Sequence, residues 1–175
     1  MDEIKFNYDS SYTNVYLLEE EDSLSELEDK VFNSDSFFFI DDSIPKELLE
    51  EIIQFHNHEF ITVDEELKTI ETVERLWEEM FSAGLSKKSH LIGVGGGVLT
   101  DLIGFAASTF KRGIDFSFVP TTLLGMVDAS HGGKNGVNTL HGKNQVGLIN
   151  IPKNVVCDMS FLETLSKDEL RNGTM

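Results

Sequence analysis

The residues best suited to chemistry in this chain crowd into the stretch from Gly93 to Asn144, GVGGGVLTDLIGFAASTFKRGIDFSFVPTTLLGMVDASHGGKNGVNTLHGKN. Asp128, Lys134, Lys143 and Asn144 stand there in glycine-rich surroundings. Lysine is a compact point charge that suits a phosphate or carboxylate, and an amide holds hydroxyls. Lysines flanked by glycine are poor solubilisers, so a ligand is the better reason for them. Upstream, Gly95-Gly96-Gly97 is followed by Asp101. Bare backbone N–H groups at such a place can meet a pyrophosphate at a helix N-terminus. A tight turn with close helix–strand packing explains the glycines equally well, and the spacing is not GxGxxG. Pro120-Thr121-Thr122 offers hydroxyls for phosphate or ribose, although taken alone the pair is better read as a helix cap. Together the set indicates a nucleotide beside a charged substrate.

The elements that must position these residues follow from hydrophobic patterning. Asn14–Leu18 is a short apolar run. Ser23 and Glu26 make a capping box ahead of Leu24, Leu27 and Val31, which recur at helical spacing. Phe37–Ile40 is a continuous apolar run that predicts a buried parallel strand. Pro45 fits the first turn of a helix through Phe55, and Phe60–Val63 predicts another strand. A helix is expected from Glu65 to Phe81, with Leu67, Ile70, Val73, Leu76, Trp77 and Met80 on one face. His90–Val94 is a strand, Leu99–Phe110 a helix and Phe116–Val119 a strand. Pro120–Asn150 reads as loop-rich, with a short helix near Leu123–Ala129. Val155–Cys157 is a last strand, and Phe161–Leu165 a turn beside it. Alternating strands and helices predict an α/β fold with a mainly parallel sheet and a ligand at the carboxyl ends of its strands. Residues 1–175 form one domain, with Met1–Asp35 as an edge layer.

Bulk properties exclude several classes. The chain has 175 residues, 40% of them apolar and thirteen of them Phe, so it is globular. Its net charge of −17 argues against nucleic acid and anionic lipid as partners. No apolar run reaches the roughly 20 residues of a membrane span. The first residues lack a secretory pattern, so the cytoplasm is the default location. Acids crowd the first eighty or so residues, while Lys111, Arg112, Lys134 and Lys143 lie in the glycine-rich half, which points to an anionic ligand there. His131 and His141 are acid–base or metal candidates, but two histidines ten apart without cysteine partners make a poor metal site. His56 and His58 are expected at the surface, and Cys157 packed in a strand.

With these residues laid out, the chain resembles the 3-dehydroquinate synthase family of sugar-phosphate cyclases. The matching motifs are GGGVLTDLIGFAASTFKRG, VPTTLL, VDAS followed by GGK, GVN, GKNQVG and FLETL with ELRNG, in family order from about Phe60 to Gly173. The resemblance implies a Rossmann-like α/β domain that binds NAD. Glu65 and Lys68 would contact the cofactor's ribose, and Asp41 would hold the adenosine ribose with Ser43 as loop partner. Gly96, Gly97, Val98 and Asp101 would take the pyrophosphate and nicotinamide side. Thr121, Thr122 and Phe161, Leu162, Glu163 and Thr164 would close over the nucleotide. Asp128, Lys134, Lys143 and Asn144 match the substrate and catalytic cluster, with Lys134 and Lys143 also beside the cofactor. Arg112 matches an arginine that reaches the substrate phosphate from a neighbouring subunit, so a homodimer is implied.

The implied reaction converts 3-deoxy-D-arabino-heptulosonate 7-phosphate to 3-dehydroquinate and phosphate, a step of the shikimate pathway to the aromatic amino acids. It runs by NAD-dependent oxidation, loss of phosphate, reduction, ring opening and aldol closure. Where the family reads SxGGKT, this chain has Ser130-His131-Gly132-Gly133-Lys134-Asn135, which leaves another sugar-phosphate cyclase open. The intact Gly132-Gly133 speaks against the valiolone-forming branch. The family's divalent metal, zinc or cobalt, is held by a Glu and two His of a helical C-terminal domain. That domain has no counterpart in these residues, so no metal ligand is assigned. The chain is expected to be inactive alone, as the cofactor half of a longer enzyme or a truncated, non-catalytic nucleotide-binding domain.

Overall fold

The FFFI run sets the architecture. In the computed structural model, which describes residues 1–8, 11–19 and 21–164, it lies in strand β3 (Ser36–Asp41) at the heart of the sheet. Phe38 and Ile40 point into one core, and Phe37 and Phe39 into the other. A strand buried on both faces must be apolar at consecutive positions, as this one is. The other strands are β1 (Asp2–Asn7), β2 (Tyr12–Leu18), β4 (Asn57–Ile61), β5 (His90–Gly95), β6 (Asp115–Pro120) and β9 (Asn154–Asp158). They form a seven-stranded sheet in the order β1-β2-β9-β6-β5-β3-β4. Every pairing is parallel except β1 with β2. The fold is Rossmann-like α/β, as expected. Of the segment expected as an edge layer only β1 and β2 lie at the edge, whereas Leu24, Leu27, Val31 and Phe32 pack in the core with Phe38 and Ile52, because their apolar side chains cover the face of β3.

Chain direction decides where the helices go. The step from β3 to β4 runs outward through α1 (Glu50–Phe55). The next step returns past β3 to β5 through α2 (Ile70–Ser82), and β5 to β6 continues that way through α3 (Gly97–Thr109). Right-handed crossovers in opposite directions fall on opposite faces. Accordingly Ile52 of α1 packs in one core, while Val73, Leu76 and Met80 of α2 join Leu99, Leu102 and Ile103 of α3 in the other. The reversal leaves a crevice between the carboxyl ends of β3 and β5, the usual ligand position in open α/β sheets.

Several expectations are corrected. The helix expected from Glu65 begins only at Ile70, where the Thr69 side chain accepts the Thr72 N–H. The residues before it form a turn in which Asp64 Oδ1 accepts the Leu67 N–H at 2.8 Å. The capping box at Ser23 and Glu26 is present, but it starts only a 3-10 turn, Leu24–Leu27. Between Pro45 and Phe55 a 3-10 turn, Lys46–Leu49, precedes α1. Strand β4 begins three residues before Phe60 and ends at Ile61.

The largest correction is the segment read as loop-rich. It contains an antiparallel hairpin, β7 (Lys134–Thr139) and β8 (Gly142–Ile149). Strand β8 is exposed along most of its length, so nothing imposes apolar alternation on it. His56 is also not a surface residue. Its side chain is 8% exposed, bonded to Glu28 Oε1 at 2.7 Å and packed against Phe32 and Phe38. Of the last turn, Met159–Thr164 is a 3-10 helix, and Leu165 lies outside the described residues.

Candidate functional site

At the crevice β5 ends in Gly95 and α3 opens at Gly97, with Gly96 as a cap that supplies no side-chain bond. The first-turn amides of α3 are therefore left for a ligand, and the helix dipole favours a negative one. Glycine at Gly95 is a packing requirement. A Cβ there would stand 3.0 Å from Leu99 Cδ1 and 3.2 Å from Asp41 Cβ. This brings Asp41, at the end of β3, beside the glycine turn. Asp41 Oδ1 meanwhile accepts the Ser43 N–H at 3.0 Å and the Ser43 hydroxyl at 2.7 Å.

Thr121 is buried, its N–H donating to Gly95 O at 3.0 Å. Thr122 Oγ1 accepts the Gly125 N–H at 3.1 Å, which is the capping role favoured for it on sequence grounds. The turn it caps continues as a π-helix, Gly125–Ala129, which carries Asp128. A cleft of about 450 Å³ opens beside it, lined among others by Asp101, Asp128, Lys134 and Asn144. Ala129, also on its wall, would lie 3.4 Å from a Cβ on Gly97, so cleft and glycine turn adjoin.

A polar network ties three separate segments together along this cleft. Lys68, only 4% exposed, pairs its ammonium with Asp101 of α3. It also donates to Asn144 Oδ1 at 2.6 Å. Asn138 of β7 donates to Glu65 Oε1 at 2.8 Å, while its own Oδ1 accepts the Asn144 N–H at 2.9 Å. Asn144 sits at φ 54°, a left-handed conformation asparagine tolerates better than most residues. Lys143, largely in solvent, reaches the half-buried Glu65 at 3.2 Å.

Charges respond accordingly. Burial pushes the Asp101 carboxyl above the ordinary aspartate range, against the opposing pull of Lys68. The Asn138 amide, with help from Lys143, holds the Glu65 carboxyl below its usual range. The delayed start of α2 matters here, because it places Glu65 and Lys68 on a turn facing the hairpin.

The structure therefore brings together Glu65, Lys68, Asp101, Asp128, Lys134, Lys143 and Asn144 around the cleft and hairpin, with Asp41, Gly96, Gly97, Val98, Thr121 and Thr122 at the adjoining crevice. It does not bring Arg112 there. Arg112 follows the carboxyl end of α3, roughly 20 Å along the helix from Gly97 at about 1.5 Å per residue. Phe161 is a core residue, 1% exposed. Leu162 is half-buried and Glu163 exposed, while the Thr164 side chain lies outside the described residues. His131 turns away from the cleft: its Nε2 donates to Met126 O at 2.5 Å, and its ring faces Phe6. His141 is exposed beside the hairpin tip. Among the described residues, no group of three or more His, Cys, Asp or Glu could hold a metal ion. Asn138 was missed, although it lies in the GVN motif; its role depends on strand pairing that the sequence does not display.

Residues 59–172 match the family model for the 3-dehydroquinate synthase N-terminal region. The chain belongs to the 3-dehydroquinate synthase family. A relative named 3-dehydroquinate synthase, from Pyrococcus abyssi, is 53% identical over 109 residues, covering 62% of this chain and 32% of that protein. The match thus spans about a third of the relative's length. Among solved structures of sugar-phosphate cyclases, 2-deoxy-scyllo-inosose synthase complexed with carbaglucose-6-phosphate, NAD+ and Co2+ superposes with a TM-score of 0.86 at 26% identity. That superposition covers 99% of this chain and 49% of the other. The 2-epi-5-epi-valiolone synthase ValA from Streptomyces hygroscopicus, with NAD+ and Zn2+ bound, gives 0.81 at 28% identity, covering 97% and 49%.

Proposed function

We propose that this chain supplies the NAD-binding part of a 3-dehydroquinate synthase that acts on 3-deoxy-D-arabino-heptulosonate 7-phosphate, and that residues 1–175 alone bind NAD without turning substrate over. The observation that carries this reading is the bridge from Lys68 to Asp101 and Asn144, which joins the glycine turn to the lysine-bearing hairpin at the sheet's switch point.

The residues fit such a cofactor. Gly96 and Gly97 present backbone without side chains at a helix start that no side chain caps, which suits a pyrophosphate. Asp41 at the adjacent strand end suits a ribose hydroxyl, and Glu65 with Lys68 a second polar contact. Bound there, NAD would supply a hydride acceptor and donor. Lys134, exposed on the cleft wall, would neutralise the substrate's phosphate or carboxylate, and Asn144 would orient hydroxyls. Asp128 on the same wall would accept a hydrogen bond from the sugar. Arg112, far from its own cleft, would serve a second copy in a homodimer. The metal of the solved relatives would be held by residues outside this set.

Titration of the chain with NAD in a calorimeter tests the reading: binding is expected, without phosphate release from the heptulosonate phosphate. Absence of heat at millimolar NAD would sink it. One observation favours a second reading, a cyclase for another sugar phosphate: the superposition on 2-deoxy-scyllo-inosose synthase covers nearly the whole chain. Binding measured against several sugar phosphates with NAD present separates the two.

A further inference from the structure

Gly104 stands in the middle of α3, where glycine is disfavoured relative to alanine, so its place needs a reason. The reason is Asn135. A Cβ on Gly104 would overlap the Asn135 Oδ1 and Cγ outright and would lie 3.2 Å from its Cβ. Asn135 is 4% exposed. Its Nδ2 donates to Gly133 O at 2.8 Å and to Asn150 O at 2.8 Å, closing the two ends of the hairpin on each other. The Asn150 N–H returns to Gly133 O at 2.9 Å, and the Asn150 amide donates to Ser108 Oγ on α3 at 2.8 Å. Gly133 itself is at φ +62°, and a Cβ there would meet Asn150 O at 3.0 Å. Lys134 lies between Gly133 and Asn135, so its backbone is held on both sides.

We propose that Asn135 is a positioning residue: seated in the notch at Gly104, it locks the β7–β8 hairpin onto α3 and thereby fixes Lys134 at the cleft, without reading the substrate itself. Asn135 also lines the cleft, but both its Nδ2 hydrogens are committed to backbone carbonyls and its Oδ1 is turned to the helix. The departure from the family's SxGGKT at this position therefore changes how the hairpin is fastened. The part concerning substrate rests on the reading of Lys134 given under the proposed function.

Two substitutions attack the lock from opposite sides. G104A keeps every donor of Asn135 but fills its notch; N135A empties the notch and removes the donors. Each alone should lower the melting temperature of the full chain by about 5 °C or more, on the usual scale of overpacking and lost buried bonds. In the double variant only a 3.2 Å Cβ–Cβ approach remains. Adding G104A to N135A should therefore cost under about 2 °C. Additive losses overturn the lock.

Hydrogen exchange supplies a local reading. Peptides within 133–150 should exchange at least about tenfold faster in either single variant, with β3, β5 and β6 unchanged. Unchanged exchange in the hairpin, or uniform acceleration throughout, refutes the proposal. Affinity for 3-deoxy-D-arabino-heptulosonate 7-phosphate in the presence of NAD should fall about tenfold in N135A, as expected for a misplaced charge. Affinity retained within about twofold refutes the positioning role. If the unaltered chain binds NAD but no sugar phosphate, the substrate reading of the cleft fails, and the melting and exchange results still decide whether the lock exists.

Discussion

Replacing Lys68 with methionine isolates the central link of the cleft. The ammonium is almost wholly buried and serves two acceptors, the Asp101 carboxylate and Asn144 Oδ1. Methionine preserves the stem's packing, so the loss is that of the charge and its bonds. Breaking a fully buried pair from one side costs about 3–5 kcal/mol, because the remaining charge is stranded. Asp101 keeps 20% of its side chain in solvent, which brings the expectation below that range, to about 2–3 kcal/mol. For a chain of this size that is roughly 5–10 °C in melting temperature.

Asp101→Asn in the Lys68→Met background should recover about 1–2 kcal/mol, since a neutral amide needs no ammonium beside it. The melts can be followed by the fluorescence of Trp77, the chain's single tryptophan, whose indole N–H donates to Ala106 O at 3.2 Å. A Lys68→Met variant within about 0.5 kcal/mol of the unaltered chain, or strictly additive losses in the double variant, would refute the network as a coupled unit.

Other outcomes follow from residues around the site. Ser117 Oγ accepts both the Asn154 N–H and Nδ2, so its own hydrogen goes to His90 Nε2, which must stay unprotonated. Burial lowers the His90 pKa, so below the ordinary histidine range the unfolded chain binds a proton that the folded chain refuses. This contribution is complete above about pH 6.5 and is lost on acidification, by at most about 1.4 kcal/mol per pH unit. Urea titrations at pH 7 and pH 5 should show it, and His90→Gln should flatten the difference. Gly95→Ala should cost about 1–3 kcal/mol by forcing Leu99 and Asp41 apart, and should weaken NAD binding in the same calorimetric titration. Burial raises the Cys157 thiol to about 11, so it should resist a disulfide reagent at pH 8 until the chain is denatured.

Much of the sheet is legible because burial on both faces leaves a mark. Phe37–Ile40 and His90–Val94 are recognisable as strands from composition alone, and the crevice follows from strand order once α/β alternation is seen. The hairpin is not legible, because its contacts are made by glycines, asparagines and backbone rather than by apolar alternation. Gly136 approaches Val146 O so closely that a Cβ would stand 2.8 Å away, yet Asn-Gly-Val-Asn reads as a loop. The start of α2 is misjudged because Leu67 fits the helical period, whereas the Thr69 cap decides the boundary. The network inherits that error. Glu65 and Lys68 are identifiable by motif, but their facing the hairpin depends on the helix not having begun.

The placement of β9 between β2 and β6 has a consequence for how the chain is made. Strand β2 finds its parallel partner only across Asn14 to Asn154, a separation of 140 residues. A nascent chain emerging from the ribosome can assemble β3 to β6 with their helices while β2 has only β1 to pair with and β6 keeps an open edge. The earliest strands synthesised are thus the last to be installed, and the closing step carries the largest loop-closure cost. During that interval the free edges of β2 and β6 are the places where a growing chain is most exposed to mispairing, and where a chaperone has most to cover.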